Sequence, residues 1–405
     1  MKILQLTNKV PYPPSDGGVI AVLSLAVGLA DLANDVTLLS MSTLKHNFDV
    51  DNIPAEFSDK INFISVEVPA KISPAGLLQN YLFSNKPYTA TRFISVDYSM
   101  KLIELLNQDS YDIIQLEGLY LAPYIDLIKR HSKAPIVMRA HNVEHEIWER
   151  VKENTSNRLK KVYLRNLNKK LKRFELSFLS DYDLLLPITD RDGESFKALG
   201  YKKEPYTLVT GIDSSRYQYN SALSQYPSLF HLGSLDWEPN LEGLRWFLQE
   251  VWPSILQKHP DINFHIAGRN ASKEIINYLQ SFENVIFDGE VEDANEYINS
   301  KAIMIVPLLS GSGMRIKILE GLALAKAIVS TEVGVEGISA KDGEEIMIAP
   351  NSQGFIYKLL ELIENKNLYQ RMTENARRFI LREFDNKTIV KGLVTEYEKL
   401  LENKQ

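Results

Sequence analysis

Two cations and a carboxylate follow a glycine-containing loop in the last third of the chain: Arg315, Lys317 and Glu320. The loop comes after the apolar run 302–308, which predicts a buried parallel strand, and before a helical pattern. A strand, a glycine loop and a helix together present backbone N–H groups to an anion. Because cations in a first helical turn oppose the helix dipole, helix stability does not explain Arg315 and Lys317. We expect them to bind a phosphate or diphosphate, and we expect Glu320 to accept from a sugar hydroxyl.

A second candidate ligand loop lies near the N-terminus. Residues 11–18 contain three prolines and end in Gly17-Gly18, directly before a helical pattern. Glycines at a helix start let a ligand approach the backbone closely, although an ordinary glycine turn has the same sequence. The loop does not have the Gly-x-Gly-x-x-Gly pattern, which disfavours a nicotinamide cofactor.

His141 follows the predicted strand Ile136–Ala140, so we expect it at the sheet edge where ligands bind. It could donate to a sugar hydroxyl there, or it could be a loop histidine capped by Asn142 and Glu144. His145 lies four residues on, but the order His-Asn-Val-Glu-His is not that of a zinc hydrolase, so a metal pair is a minor alternative.

The sequence Asp181-Tyr182-Asp183 matches a metal-diphosphate motif of some sugar transferases. It precedes a predicted strand, which is the wrong end of a strand for a ligand, and we predict a helix-to-strand loop. We therefore expect no metal site.

Short β-rich runs alternate with helical patterns along the whole chain. The predicted strands are Ile3–Leu6, Val36–Ser40, Ile61–Val66, Ile113–Leu116, Ile136–Ala140, Leu184–Ile188, Leu229–Leu232, Asn263–Ala267, Val285–Phe287, Ala302–Leu308, Ala327–Ser330 and Ile346–Ile348. Such alternation predicts βαβ units, parallel sheets and an α/β fold of two doubly wound, Rossmann-like domains.

We place one domain at 1–205 and a second at 206–380. A last helix, within 381–405, is expected to pack back on the first domain. Two such domains facing each other would bring both ligand crevices to one cleft, which fits a two-substrate transferase and also a hinge-closing binding protein.

The composition limits the class of protein. The chain has 405 residues, a net charge of −6 and no cysteine. These values disfavour nucleic-acid binding and exclude disulfides and thiolate metal sites. The N-terminus reads as a strand rather than a signal peptide, and no apolar run approaches the ~18 residues that span a bilayer. We expect a cytoplasmic protein.

One segment is strongly basic. Residues 158–173 contain eight basic residues, no acidic residue and an apolar stripe at helical spacing. A basic amphipathic helix is typical of contact with an anionic ligand or an anionic membrane surface. The alternative is a solvated helix whose stripe packs on its own domain.

Taken in order, these features resemble the retaining glycosyltransferases of the GT-B fold, family 4, also called glycosyl transferases group 1. The resemblance covers nearly the whole chain. It is carried by the loop at 11–18, His141, Gly211-Ile212-Asp213, Gly233-Ser234-Leu235, Ile266-Ala267-Gly268, Gly289-Glu290-Val291 and the loop and helix that end in Glu320-Gly321.

The resemblance implies a role for each matching residue. Gly17 and Gly18 would face the donor diphosphate, His141 would contact the transferred sugar, and Glu320 would bind the ribose hydroxyls. Gly289 to Val291 would hold the base, with no metal or other cofactor. The remaining candidates are the donor-side Ser234, Arg269, Ser312, Gly313 and Met314, and the acceptor-side Asp16, Glu117 and Asn142.

The chain departs from the family pattern at charged positions. The first of two expected glutamates is Ser312, and the expected arginine and lysine of the 234–240 loop are missing. We hypothesise that Arg315 and Lys317, with His141 the predicted catalytic groups, replace those two cations.

These observations predict a retaining transferase that moves a sugar from a UDP- or GDP-linked donor to a glycan or lipid-linked acceptor. It would be cytoplasmic or peripheral on the inner face of a membrane, with 158–173 near the lipid. A nucleotide-sugar epimerase of the same fold and a catalytically silent nucleotide-binding subunit remain alternatives.

Overall fold

The computed structural model describes residues 1–14, 17–44, 46–153, 155, 157–311 and 314–403. The chain divides into two compact units, one formed by Met1–Gly211 with Ile389–Gln405 and the other by Ile212–Thr388. The predicted domain ends, 205 and 380, lie slightly earlier in the chain. The first unit extends further because the Leu208 N–H bonds to the carbonyl of Pro187 at 2.8 Å. The second unit extends further because the Ile212 N–H bonds to the carbonyl of Phe384 at 2.9 Å.

Within the described residues, the first unit contains a sheet of six parallel strands in the order β3-β2-β1-β4-β5-β6. The strands are β1 (Lys2–Thr7), β2 (Asp35–Ser42), β3 (Ile61–Glu67), β4 (Ile113–Glu117), β5 (Ile136–Ala140) and β6 (Leu184–Pro187). The helices are α1 (Gly17–Asp31), α2 (Ala55–Ser58), α3 (Pro74–Phe83), α4 (Tyr88–Thr91), α5 (Val96–Gln108), α6 (Ile125–His131), α7 (Glu144–Glu153), α8 (Arg158–Ser177) and α9 (Asp190–Ala198).

The second unit has the same plan, with six parallel strands in the order β12-β11-β10-β7-β8-β9 among the residues described. They are β7 (Leu229–Leu232), β8 (Phe264–Ala267), β9 (Val285–Gly289), β10 (Ile303–Val306), β11 (Ala327–Thr331) and β12 (Met347–Ala349). The helices are α10 (Glu238–Trp246), α11 (Trp252–Lys258), α12 (Lys273–Gln280), α13 (Ala294–Ser300), α14 (Ile316–Ala323), α15 (Ser352–Glu364) and α16 (Lys366–Glu383).

Every predicted strand is present, with ends that differ by no more than two residues. The predicted α/β fold with two doubly wound domains is confirmed. A π-helical turn at Phe247–Val251 joins α10 to α11. Pro253, near the start of α11, has no N–H to donate, so a regular α-helix cannot continue through it.

Alternation along the strands produces two cores in the first unit. Leu4 and Leu6 pack into one core, whereas Ile3 packs into the other, because successive strand side chains point to opposite faces. The last helix, α17 (Asn386–Glu402), covers the face that contains Ile3 and buries Val390, Leu393 and Tyr397 there.

The basic segment forms the N-terminal part of α8, and its apolar stripe has two environments. Leu164, Leu167 and Leu171 are buried on the first unit, as the alternative of self-packing predicts. Leu159 and Val162, nearer the start of the helix, are exposed. Among the described helices, none is both long and apolar enough to cross a bilayer.

Candidate active site

The first sheet reverses its strand order between β1 and β4, and ligands bind such sheets at the carboxyl ends beside that reversal. A cavity of about 740 Å³ opens there. Its lining includes Thr7, Gly18, Glu117, His141 and Glu144. The structure thus brings three of the predicted residues, Gly18, Glu117 and His141, to one cavity.

Glu117 ends β4 and is only 4 % exposed. Its Oε2 lies 3.0 Å from His141 Nε2 and 3.6 Å from Arg139 Nη1. Burial by itself would raise the pKa of this carboxyl, but the charge of Arg139 and the hydrogen bonds from His141 and Gln115 lower it overall. Glu117 therefore remains ionised and orients the imidazole. These contacts make Glu117 a positioning partner of His141, and its place on the acceptor side stays a prediction.

A row of hydrogen-bonded side chains, Gln115 and Tyr397, positions the Glu117 carboxylate. Gln115 Nε2 donates to Glu117 Oε1, and Tyr397 Oη donates to Gln115 Oε1. Arg139 Nη1 also donates to the carbonyl of Ala21 at 2.9 Å. The orientation of His141 therefore depends on α17 and α1 as well as on its own strand. Sequence patterns did not reveal this row, because its members are far apart in the chain.

Glu144, at the start of α7, is a cavity residue that the sequence analysis treated only as a cap. Its Oε2 accepts from Tyr120 Oη at 2.7 Å. Burial and the nearby Glu175 carboxylate raise the pKa of Glu144 to about 7, although the Tyr120 hydrogen bond opposes the rise. A carboxyl that titrates near neutrality in a ligand cavity can either accept or donate a proton.

His145, the second histidine of the minor metal alternative, is buried beside Glu175. Its Nδ1 lies 2.5 Å from Glu175 Oε2, and the same carboxylate accepts from the Glu144 N–H at 2.9 Å. In the described part of the chain, His, Asp and Glu side chains form no group of three or more that could hold a metal ion. We therefore name no ligand set for a metal.

The other first-unit candidates differ in how much the structure shows. Gly17 begins α1, and a Cβ there would meet no atom within 4 Å, so the helix start is open. Asn142 lines a small recess beside His141 and Glu144. Asp16 lies outside the described residues.

In the second unit the strand order reverses between β10 and β7, and Lys317 lies beside that reversal. Its Nζ donates to Asn240 Oδ1 at 3.0 Å and would lie 3.2 Å from a Cβ placed on Gly233. Burial of the ammonium and the neighbouring charge of Arg315 lower the pKa of Lys317 to about 7. His231 lies under the same glycine, and burial lowers its pKa well below the usual value.

Arg315 does not lie in the first helical turn as predicted. It is the N-cap residue of α14 with an extended backbone, and the helix begins at Ile316. Its guanidinium lies 5.5 Å from the ring centroid of Trp237, and the side chain is 7 % exposed. Arg315 and Lys317 therefore contact the 234–240 loop, at Trp237 and Asn240 respectively. This is the loop in which the expected cations are missing.

Glu320 lies one turn into α14 and is half-buried. Its Oε1 accepts from Tyr217 Oη at 3.1 Å. Burial raises the pKa of Glu320, and the Tyr217 hydrogen bond counteracts part of the rise. Tyr217 is a further partner that the sequence analysis did not identify, because it precedes Glu320 by about a hundred residues.

Ser234 and Arg269 follow the first two strands of the second unit. Ser234 Oγ donates to Asp236 Oδ1 at 2.5 Å, so that hydroxyl is already bonded within its loop. The Arg269 carbonyl accepts from the Leu235 N–H at 2.9 Å, which ties the two loops together. A Cβ on Gly268 would lie 1.8 Å from the carbonyl oxygen of Gly233, so only glycine allows this approach.

Gly289 ends β9 with φ of +80°, a conformation that favours glycine. Its carbonyl accepts from the Gly268 N–H at 2.8 Å, and Val291 follows in an irregular segment before α13. Met314 is half-buried next to Arg315. Ser312 and Gly313 lie outside the described residues.

The second unit is similar to a known protein family. Residues 226–365 match the family model described as Glycosyl transferases group 1. The match covers most of the second unit. The matched span includes β7, the 234–240 loop, Arg315, Lys317 and Glu320.

Relatives align over most of the chain. A protein of Klebsiella pneumoniae, named as a 44.6 kDa protein in the cps region, is 22 % identical over 98 % of this chain and 99 % of its own length. An uncharacterized glycosyltransferase of Haemophilus influenzae is 24 % identical over 90 % of this chain and 91 % of its own.

Among solved structures, Anabaena HepE in complex with UDP aligns with a TM-score of 0.66 at 14 % identity. The alignment covers 98 % of this chain and all of the HepE chain. HepE has also been solved in complex with UDP-glucose. The predicted GT-B fold is confirmed by this likeness.

Proposed function

We propose that this protein is a retaining glycosyltransferase that uses a UDP- or GDP-linked sugar. The acceptor would be a glycan or a lipid-linked glycan, and transfer would need no metal. The observation that carries the proposal is the position of Lys317 and Arg315. Both are anchored on the 234–240 loop, at the strand-order reversal of a domain that matches glycosyl transferases group 1.

The two cations suit a diphosphate leaving group. An anion raises the pKa of a neighbouring lysine, so a bound diphosphate would keep Lys317 protonated although burial lowers its pKa to about 7 without one. A preorganised cation stabilises the charge that develops on the leaving oxygen. Of the two candidate nucleotides, UDP is favoured over GDP by the likeness to HepE, whose solved complexes contain UDP and UDP-glucose.

We assign the other donor contacts to neighbouring groups of the second unit. Glu320, which Tyr217 holds at 3.1 Å, would accept from the ribose hydroxyls. The backbone from Gly289 to Val291 would bind the base. Since Ser312 replaces a glutamate of the family pattern, we infer that the donor sugar is recognised differently from that pattern.

The first-unit cavity is assigned to the transferred sugar and the acceptor. Since His141 Nε2 is engaged by Glu117, we assign its sugar contact to Nδ1. The acceptor hydroxyl would attack C1 on the face from which the diphosphate leaves. The C1–O bond to phosphate breaks while the new C1–O bond forms, and the hydroxyl proton passes to the departing phosphate. The anomeric configuration is thereby retained.

The proposed acceptor is supported by the name of one relative, and the proposed cellular site is supported by the charge of one segment. One relative is named for a cps region, which supports a role in polysaccharide biosynthesis. The eight basic residues of 158–173 would contact an anionic membrane, so that the protein is peripheral on its cytoplasmic face.

A ligand screen followed by product analysis tests the function. A thermal-shift series over UDP- and GDP-sugars should show a rise in Tm with one donor class, because a ligand that binds only the folded state stabilises it. That donor, incubated with extracts of lipid-linked glycans, should yield a product with the donor's anomeric configuration by NMR. Conversion of the donor without any acceptor would indicate an epimerase. Calorimetry without UDP or GDP binding would indicate a silent subunit.

A further inference from the structure

A group of large apolar side chains on the first unit is exposed to solvent. Phe83 of α3 is 83 % exposed and Leu159 of α8 is 84 % exposed. Leu78, Leu82 and Val162 are also more than half exposed. We call these five residues the apolar surface. Isolated exposed leucines need no explanation, but several on neighbouring helices indicate a binding site.

The two helices lie side by side. Lys170 Nζ of α8 donates to the carbonyls of Asn80 and Tyr81 at 2.9 and 3.1 Å. The rings of Tyr81 and Tyr163 are 6.0 Å apart. Leu159 is four residues before Tyr163 and shares its side of α8, so Leu159 points towards α3. Leu78 and Leu82, three residues before and one after Tyr81, lie beside its side of α3, so they form one surface with Leu159. Phe83 is the last residue of α3 and extends this surface at the end of the helix.

The two segments that contain α3 and α8 have only positively charged residues among their charged residues. Residues 154–174 contain eight basic residues and residues 68–96 contain three, and neither segment has an acidic residue. The chain as a whole carries a net charge of −6. Positive charge is therefore concentrated in the two segments that contain α3 and α8, although the chain as a whole has a negative net charge.

A surface with both exposed apolar residues and cations is typical of contact with an anionic lipid bilayer. Lysine and arginine attract the phosphates of an anionic bilayer, and exposed Leu and Phe side chains insert at the level of the headgroups. Self-packing does not account for the apolar surface, because α8 buries a separate stripe, with Leu164, Leu167 and Leu171, on its own unit.

We propose that α3 and α8 together form a docking surface for an anionic lipid bilayer, into which Leu78, Leu82 and Phe83 insert. Lys71, Ile72 and Ser73, which lead directly into α3, line the cavity that contains His141. Docking therefore places the cavity next to the membrane, where a lipid-linked acceptor is presented. This last step rests on the proposed function, whereas the docking itself does not.

Sedimentation of the full chain with vesicles tests the docking. The probes are phosphatidylcholine vesicles with and without phosphatidylglycerol, at low and high salt, without any sugar donor. The protein should bind the anionic vesicles, and salt should weaken this binding because it screens the cations. Equal binding to neutral vesicles, or no binding to either kind, would overturn the proposal.

Two variants separate the apolar from the ionic contribution. Replacing Lys160, Arg165 and Lys169 by Gln should weaken binding about a hundredfold, at about fivefold for each cation. Replacing Leu78, Leu82 and Phe83 by Ser should weaken it more than about tenfold. If both variants bound like the wild type, the surface would be misassigned.

Matched controls come from the second unit. The control for charge replaces the exposed Lys258, Lys273 and Lys341 by Gln, and the control for apolar area replaces the exposed Leu223, Tyr357 and Leu381 by Ser. Neither should change vesicle binding. All replaced side chains are exposed, so far-UV circular dichroism and Tm should stay at wild-type values.

Three further outcomes discriminate between explanations. Sedimentation velocity showing a dimer that the L78S/L82S/F83S variant abolishes, without vesicle binding, would identify a second copy of the chain as the occupant and overturn the proposal. Wild-type protein that binds anionic vesicles but transfers no sugar would overturn the proposed function and leave the docking intact. A transferase that is active on soluble acceptors but does not bind vesicles would overturn the docking and the membrane position, and would leave the proposed sugar transfer intact.

Discussion

Lys317 carries a charge that the fold makes easy to lose. Its ammonium is buried next to Arg315, so its pKa is lowered to about 7, and Asn240 holds it at 3.0 Å. Such a group binds weakly when neutral and strongly when an anion restores its proton. The protonation state of Lys317 therefore determines whether the 315–317 cations can replace those missing from the 234–240 loop.

Replacing Lys317 or Arg315 by Ala tests this replacement. Each change should lower kcat by about 10²–10³, since one well-placed electrostatic group contributes about 2.7–4 kcal/mol to a transition state. Steady-state kinetics with the preferred donor provides the measurement. The control is Lys341→Ala, an exposed lysine of the same unit that pairs with Glu344 at 3.5 Å. Wild-type turnover in both active-site variants would refute the replacement.

Glu144 offers a pH test of the first-unit cavity. Burial and Glu175 raise its folded pKa from 4.5 to about 7, so the folded state binds this proton more tightly than the unfolded chain does. The ionisation of Glu144 therefore lowers the free energy of unfolding. This loss is absent below the unfolded pKa and grows as the pH rises from there through 7. Glu144→Gln removes that loss and should raise the free energy of unfolding by about 1–3 kcal/mol at pH 8, with little gain at pH 4.

Urea denaturation at the two pH values measures the difference. Glu146→Gln is the matched control, because Glu146 pairs with Arg191 at the surface at 2.7 Å. An equal change at both pH values for Glu144→Gln would show that the carboxyl is not titrating between them.

At the scale of elements, α17 connects the end of the chain to the sheet of the first unit. It buries Leu393 in the core beneath the sheet, and Tyr397 Oη bonds to Gln115, which in turn holds Glu117. The helix therefore acts on both stability and the orientation of His141.

Leu393→Ala should lower the free energy of unfolding by about 2–5 kcal/mol, because it leaves a cavity in a closed core. Tyr397→Phe should cost about 1–3 kcal/mol, because it leaves the buried Gln115 oxygen without its donor. Denaturant titration provides both values. Lys391→Ala, on the exposed side of the same helix, should stay within about 0.5 kcal/mol. A Tyr397→Phe value as small as that of Lys391→Ala would show that the row carries no stability.

At the scale of the whole molecule, the chain returns to its first unit after completing the second. Residues 212–388 have their own sheet and core, whereas residues 1–211 lack α17, which covers one face of their sheet. We expect a 212–388 fragment to fold alone and to be stabilised by the preferred nucleotide. A 1–211 fragment should expose the face that Val390 and Leu393 cover. Circular dichroism and thermal shift on both fragments measure this, and a cooperative melt of 1–211 near the wild-type Tm would contradict it.

The sequence alone determined the strands, because a fully buried parallel strand must be an apolar run of limited length. It also determined that Arg315, Lys317 and Glu320 follow a glycine-containing loop, since loop, cations and carboxylate are neighbours in the chain. The start of α14 was placed one residue too early, because side-chain periodicity does not show that Arg315 has an extended backbone.

Tertiary structure decided which distant groups meet. Glu117 and His141 are 24 residues apart, and Tyr397 lies 282 residues from Gln115. Neither contact can be predicted from the periodicity of the sequence, because the folded sheet brings these separate strands and helices together. The same holds for Asn240 beneath Lys317, for Tyr217 on Glu320, and for the burial that moves the pKa of Glu144 to about 7. A sequence shows which groups can ionise, but desolvation and neighbouring charge, which shift their pKa values, exist only in the folded chain.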